Sequence, residues 1–176
     1  MDISNALHRQ LMKIGGVVDM FNNQDYDATD NWLQWLKDSE NLLKTYNYSE
    51  MSLLAGLRAN IIKEIKSVDS ERNKRKRIVH QALSTVDEGQ KVLFDINKQL
   101  LEKVNNVRTL IRQILIPAKE AGLINKTEIV DFTQYLESLL QQFKKHQQLA
   151  PSINNAVAMI GKFDVLRIIA DEIDFS

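Results

Sequence analysis

Residues 79–117 read VHQALSTVDEGQKVLFDINKQLLEKVNNVRTLIRQILIP and carry the most regular pattern in the chain. From Val79 to Ile114, side chains recur at alternating spacings of four and three residues, and only Gln90 and Asn97 among these seam positions are polar. This is the heptad pattern of a helix that packs along one face. We predict one long helix over 71–116 that ends at Pro117, because proline terminates helices and a single glycine such as Gly89 need not.

Shorter apolar stripes with helical spacing lie on both sides of this segment. They predict helices over about 3–22, 30–47 and 49–68, a fifth helix that begins at a capping box formed by Asn125 and Glu128, and a sixth from about Ser152 to residue 173. No alternating strand pattern occurs. The sequence therefore predicts an all-α protein, an elongated helical bundle of five to six helices built on one long heptad-patterned central helix.

Charge is unevenly distributed over the 176 residues although the net charge is zero. Segments 1–70 and 120–176 each carry a net charge of −3, whereas 71–119 carries +6. Either the acidic ends fold back onto the basic middle, or the middle presents an anion-binding face. The predicted organisation is an N-terminal three-helix segment (1–70), the central helix (71–117) and a C-terminal helical hairpin (118–176) that packs on it, within one continuous domain.

Composition excludes several classes of protein. An apolar content of 44% is incompatible with intrinsic disorder, and the chain contains no cysteine and no apolar run of about 18 residues. The first residues, MDISNALHRQL, lack the layout of a secretory signal. We therefore expect a soluble cytoplasmic protein without disulfides or a transmembrane segment.

No local motif indicates catalysis or a cofactor. The sequence has no P-loop, no G-x-G-x-x-G and no G-x-S-x-G, and its three histidines are far apart. Asp25, Asp27 and Asp30 resemble the start of a calcium loop, but Asp30 and Leu36 occupy the positions that need glycine and glutamate. We predict no metal, no cofactor and no enzymatic activity. The acids Asp171, Glu172 and Asp174 are interpreted as a solvated C-terminal tail.

The strongest local charge signal is RNKRKR at 72–77. Its layout ahead of a heptad helix is similar to that of a basic-region leucine zipper, but the similarity stops at layout because only Asn73 is available to read bases. Sequence-independent binding to nucleic acid or anionic lipid headgroups needs only the charges. The alternative is a solvated helix start that acids elsewhere in the chain neutralise. The candidate nucleic-acid-binding residues are Arg72, Lys74, Arg75, Lys76 and Arg77.

The first half of the heptad seam is the candidate interface. Polar residues in a buried seam fix register and partner number, so Gln90 and Asn97, if buried, indicate one defined partner; in a solitary bundle they would be exposed. Trp32 and Trp35 lie on one helical face and are interpreted as core residues rather than partner anchors, and Gly15-Gly16 as a kink or a close approach of another helix. The candidate interface residues are Val79, Leu83, Val86, Gln90, Leu93 and Asn97.

These features predict a non-catalytic helical interaction or scaffolding protein that associates with itself, or with another helical protein, by coiled-coil-like packing. One alternative is a nucleic-acid-associated accessory protein that binds the phosphate backbone through 72–77, with Lys91 and Lys98 further along. A further alternative is a membrane-active helical protein, in which the Gly15-Gly16 and 114–116 regions would open out.

Overall fold

A computed structural model describes residues 2–67, 71–124 and 131–173, without the side chains of residue 2 and residues 71–73. Within these ranges the chain consists of helices and turns, with no strand. The helices are α1 (Asp2–Met12), α2 (Ile14–Asn22), α3 (Ala28–Thr45), α4 (Met51–Ile65), α5 (Glu71–Ser84), α6 (Val86–Glu120), α7 (Phe132–Lys145), α8 (Ala150–Ile160) and α9 (Lys162–Glu172). The predicted all-α class is confirmed.

Three single-residue interruptions raise the number of helices in the described ranges above the predicted five to six. Lys13 separates α1 from α2, Thr85 separates α5 from α6, and Gly161 separates α8 from α9. Gly161 has a φ of 86°, a conformation that glycine adopts without the steric cost other residues incur. Gly15 and Gly16 lie just after the first interruption but are exposed, and no atom comes within 4 Å of the position a Cβ would occupy on either.

The long helix predicted over 71–116 is divided at Thr85 into α5 and α6, and the 35 residues of α6 span about 53 Å at 1.5 Å per residue. Helix α6 continues through Gly89 without a break. The prediction that Pro117 ends it is wrong, because the helix runs on to Glu120. A proline one turn from the end removes a single hydrogen bond, and the stop signal is Gly122 instead. With φ at 68°, Gly122 lets the N–H of Leu123 reach the carbonyl of Ala118 at 3.0 Å in a Schellman motif.

The chain divides into two compact units, residues 1–99 and 100–176, and α6 contributes to both. In the first unit α3 supplies the largest buried side chains. Trp32, Trp35, Leu36 and Leu43 are all less than 4% exposed, and they share the core with residues from α1, α4 and the start of α6. Each large apolar side chain removed from water in this way stabilises the unit by about 1.5–3 kcal/mol.

The second unit packs the remainder of α6 against α7, α8 and α9. Its core includes Val107, Ile111, Leu139, Leu140, Phe143, Ile153, Val165 and Ile169. Asp131 caps α7, with its Oδ1 accepting the N–H groups of Thr133 at 2.8 Å and Gln134 at 3.2 Å. The capping box predicted at Asn125 and Glu128 lies outside the described residues, and α7 itself begins at Phe132. No helix in the described ranges combines the length and the apolar content needed to span a bilayer.

Candidate interaction surface

The basic stretch 72–77 lies in α5, and its last cation is bound to α4. The side chain of Arg72 is outside the described part of the structure. Arg77 donates from Nε to Glu64 Oε1 at 2.6 Å and from Nη2 to the hydroxyl of Ser67 at 3.0 Å. An acid from the preceding helix thus neutralises one member of the stretch, as the charge distribution led us to consider.

A second cation of the stretch is stacked on an aromatic ring. The guanidinium carbon of Arg75 lies 3.7 Å from the ring centroid of Tyr26, which precedes α3 and is 83% exposed. Such a cation–π contact contributes about 0.5–1 kcal/mol at an exposed site. Lys74 is half-buried, and Lys76 is exposed. The stretch therefore does not form one continuous basic patch in the described structure.

The two tryptophans are core residues, as predicted. Their rings stack with centroids 4.7 Å apart and an interplanar angle of 13°. The Trp35 indole N–H donates to the carbonyl of Gln10 at 2.8 Å, and the Gln10 amide donates to the carbonyl of Trp35 and to Ser39 Oγ. These hydrogen bonds satisfy the buried indole N–H of Trp35 and the amide N–H groups of Gln10, which lets α1 and α3 pack closely.

The face of α5 and α6 that receives the Trp32 ring was not predicted from the sequence. Trp32 donates from its indole nitrogen to Thr85 Oγ1 at 2.9 Å, and a Cβ on Gly89 would lie 2.9 and 3.0 Å from two atoms at the edge of the same ring. Ala82, Thr85 and Gly89 are buried, although none is a large apolar residue. At Gly89 the absence of a side chain makes room for the ring, because a Cβ there would lie too close to Trp32. The spacing of Ala82, Thr85 and Gly89, three and four residues, was the available signal.

The predicted interface residues consequently fall into two groups. The first group faces the core: Val86 and Leu93 are buried in their own unit, and Val79 and Asn97 are half-buried. Asn97 also accepts a hydrogen bond from Ser4 Oγ at 2.9 Å. Leu83 is 45% exposed, and Gln90 is also exposed. The first half of the heptad seam therefore lies at the edge of the buried face. From Val79 to Leu93 its successive positions alternate between side chains that face the core and side chains that face solvent.

Phe94, 55% exposed, extends the outward group. We define the exposed flank as Leu83, Gln90 and Phe94. Spacings of seven and four residues keep these side chains on one side of the helical path. Thr85 interrupts that path only locally, since its N–H reaches the carbonyl of Ala82 at 3.1 Å and its carbonyl accepts the N–H of Gly89 at 3.0 Å.

In the second unit Glu172 is bound rather than solvated, which corrects the prediction for that residue. Asp171 accepts one hydrogen bond but remains exposed, and Asp174 lies outside the described residues. Arg112 donates to both carboxylate oxygens of Glu172 at 2.6 and 3.0 Å, and Arg108 donates to Glu172 at 2.7 Å and to Asp171 at 3.2 Å. Acids at a helix C-terminus oppose the helix dipole, and these two arginines offset that cost. The two positions are about 60 residues apart in sequence, which hid the contact.

These contacts change the acidity of the groups involved. The hydrogen bond from Arg112 is the main cause of a lowered Glu172 pKa, with further lowering by Arg108, and the same hydrogen bond raises the pKa of Arg112.

Burial raises the pKa of Tyr135, and burial together with the charge of Glu50 raises that of Tyr48. Both phenols therefore remain neutral at physiological pH.

A cleft of about 300 Å³ lies beside this ion-pair cluster. Ile116, which is 64% exposed, forms one wall of it, and an apolar pocket with a polar rim is the usual form of a small-ligand site. The Arg112 guanidinium at the rim is already matched by Glu172, so it offers no unpaired charge to an anionic ligand. The lining residues are Arg112, Leu115, Ile116, Lys119, Ile124, Glu172 and Ile173.

The titratable residues do not gather into a metal site in the described ranges. No group of three His, Asp or Glu side chains is placed to hold an ion there. His8 and His80 are exposed, and His146 follows the last turn of α7 with its Nδ1 buried.

Similarity to known proteins supplies no functional assignment. The chain matches no protein-family model, no curated protein and no solved structure. Functional inference therefore rests on the contacts, exposure and charges of the chain itself.

Proposed function

We propose that the chain is a non-catalytic helical interaction protein that associates with itself, or with another helical protein, through the exposed flank of α5 and α6. The observation that carries the proposal is the alignment of Leu83 and Phe94, about half exposed, on one side of helices whose other side is buried. Isolated apolar residues on a protein surface are ordinary. An aligned pair with helical spacing is the arrangement that partner helices recognise.

Light scattering coupled to size exclusion tests the proposal. We expect the mass of the wild-type protein to rise above the monomer value of 20.3 kDa with increasing concentration. Loading concentrations from about 1 µM to 1 mM cover the affinities typical of weak helix pairing. The double variant Leu83→Gln/Phe94→Gln should remain at the monomer mass, because glutamine keeps helix propensity and removes the apolar contact.

A matched variant controls for loss of exposed apolar surface in general. Met12→Gln/Leu53→Gln changes two exposed residues on α1 and α4 and should associate as the wild type does. If this control abolishes association while the flank variant retains it, another surface is responsible. A wild-type chain that is monomeric at every concentration, with no partner helix bound at the flank, would be evidence against the proposal.

Nucleic-acid binding is the second candidate, supported by the Arg75–Tyr26 stack and the adjacent exposed Lys76. The stack holds a guanidinium at the surface, where it can contact phosphate while an exposed ring lies beneath it. Binding of a labelled oligonucleotide should weaken steeply between about 50 and 200 mM salt. Arg75→Gln/Lys76→Gln should abolish it, whereas the exposed pair Lys37→Gln/Lys44→Gln on α3 should not. Absence of binding at the lower salt concentration would remove this candidate.

A further inference from the structure

Four charged residues run beside the exposed flank on α6. We define the charge row as Asp87, Lys91, Asp95 and Lys98, all of which are exposed. Spacings of four, four and three residues place them along one side of the helix, next to Gln90 and Phe94. Their signs alternate from one end of the row to the other.

The charge row has no ion pair with any described residue. Neighbouring members are spaced so that they could pair along the helix, yet the ion pairs in the described part of the chain involve other residues, such as Arg77 with Glu64. Each of the four charges is therefore available to a group from outside the unit. A surface of alternating charge beside two exposed apolar side chains resembles the flank of a coiled-coil interface, where such charges select partner and orientation.

We infer that the charge row, with Gln90 and Phe94 beside it, binds the same surface of a second copy of this chain in antiparallel orientation. This inference rests on the proposed function and names the partner and the geometry. Reversing an alternating row about its centre places each charge opposite one of the other sign. Asp87 of one copy then faces Lys98 of the other, and Lys91 faces Asp95.

Phe94 lies close to the same centre, whereas Leu83 falls opposite position 102 of the second copy, beyond the paired charges. A two-fold axis between residues 92 and 93 aligns Asp87 with Lys98 and, to within one residue or about 1.5 Å of helix rise, places Gln90 across from Phe94. A parallel pair in register would instead place like charges opposite each other, which is destabilising. The contact covers about 17 Å of helix, so we expect an association in the micromolar range or weaker.

Cysteine cross-linking tests the orientation directly, because the chain contains no cysteine of its own. The Asp87→Cys and Lys98→Cys variants are mixed and treated with a short bismaleimide cross-linker. The length of the linker matches the distance between the axes of packed helices, about 8–10 Å. The mixture should give a covalent dimer that joins position 87 to position 98. Neither variant alone should cross-link, because two copies of one position lie about 17 Å apart along the antiparallel axis.

The outcomes separate this inference from the proposed function. Efficient cross-linking of each variant with itself means a parallel pair, which overturns the antiparallel geometry and leaves self-association standing. A protein that dimerises by light scattering yet gives no cross-link overturns the assignment of this surface. A protein that is monomeric at all concentrations overturns both.

A charge-exchange experiment provides a second measurement that does not depend on cross-linking. Lys91→Glu/Lys98→Glu makes the row uniformly negative, and Asp87→Lys/Asp95→Lys makes it uniformly positive. Each variant alone should associate at least tenfold more weakly than the wild type, and an equimolar mixture should recover association. All substituted positions are exposed, so circular dichroism should show unchanged helix content. Equal association of the wild type and both single-sign variants would overturn the role of the charge row.

Discussion

The indole N–H of Trp32 donates a 2.9 Å hydrogen bond to Thr85 at the point where α5 ends and α6 begins. The Thr85 hydroxyl in turn donates a hydrogen bond to the carbonyl oxygen of Ala82 at 2.7 Å. Trp32 also stacks on Trp35, so a buried side chain of α3 is tied to a helix interruption by a directed bond and by packing. A helix interruption held in this way has a defined geometry rather than a frayed one.

Thr85→Val should destabilise the protein by about 1–3 kcal/mol. Valine has nearly the same shape but no hydroxyl, so the buried indole N–H of Trp32 is left without an acceptor. The midpoint of urea denaturation followed by tryptophan fluorescence measures the loss.

Thr109→Val is the matched control, because the Thr109 hydroxyl bonds the carbonyl of Asn105 at an exposed position in α6. This change should cost less than about 0.5 kcal/mol. Equal losses for the two variants would mean that the indole hydrogen bond contributes nothing specific.

Replacing Gly89 by alanine should lower stability by about 1–3 kcal/mol, although alanine is the better helix former. The new Cβ would lie 2.9 Å from the Trp32 ring, which its stacking partner and its hydrogen bond hold in place. Gly56→Ala is the control, because nothing lies within 4 Å of that exposed position in α4, and it should gain about 0.5–1 kcal/mol. Opposite signs in thermal unfolding are the expected result, and a stabilised Gly89→Ala would show that the ring can move.

The two prolines should respond in opposite directions to replacement by alanine. Pro117 lies inside α6, where its ring removes a backbone hydrogen bond. Pro117→Ala restores that bond but makes the unfolded chain more flexible, which offsets part of the gain. The net effect should be a stabilisation of about 1–2 kcal/mol. Pro151 lies in the first turn of α8, where its missing N–H has no intrahelical partner in any case. Pro151→Ala should therefore lose up to about 1 kcal/mol. Calorimetric melting temperatures that fall for both variants would contradict the account of Pro117.

The contribution of Glu172 should depend on pH. A carboxyl whose pKa is lower in the folded state contributes stability that is present above its unfolded pKa, about 4.3, and is lost as the pH falls through the folded value. Glu172→Gln should thus be less stable than the wild type at pH 7, and the difference should shrink under acid conditions and in high salt. Glu102→Gln, at an exposed position on α6, is the control for loss of a surface carboxylate and should change stability at pH 7 by less than about 0.5 kcal/mol. A gap between wild type and Glu172→Gln that persists in acid would mean that packing, not charge, is lost.

Much of the fold could be predicted because large apolar residues with helical spacing mark buried faces. Ile111, in the second half of the heptad pattern, is fully buried, whereas Leu93 was predicted at an interface and is buried in its own unit. The heptad pattern located α6, and the prediction of Trp32 as a core residue is confirmed. The pattern could not reveal that α6 passes Pro117, because the decisive element is the left-handed conformation of Gly122 five residues later.

The candidate surface was predicted only in part, for two physical reasons. Leu83 and Gln90 were on the predicted interface, but Phe94 lies off the seam and was missed, since burial of the seam by α3 could not be known in advance. The pairing of Arg112 with Glu172 joins residues 60 positions apart, which no local pattern encodes. The one available hint was an acid at a helix C-terminus, where it needs a compensating cation.

Both tryptophans of the chain belong to the unit formed by residues 1–99, and the other unit has none. Tryptophan fluorescence therefore reports on the first unit alone, whereas far-ultraviolet circular dichroism reports on the helices of both units. Two unfolding curves recorded on one sample by these probes will coincide if the chain melts as a single cooperative body and will separate if each unit melts on its own. The native sequence thus carries a label for dissecting its own cooperativity, with no dye and no substitution.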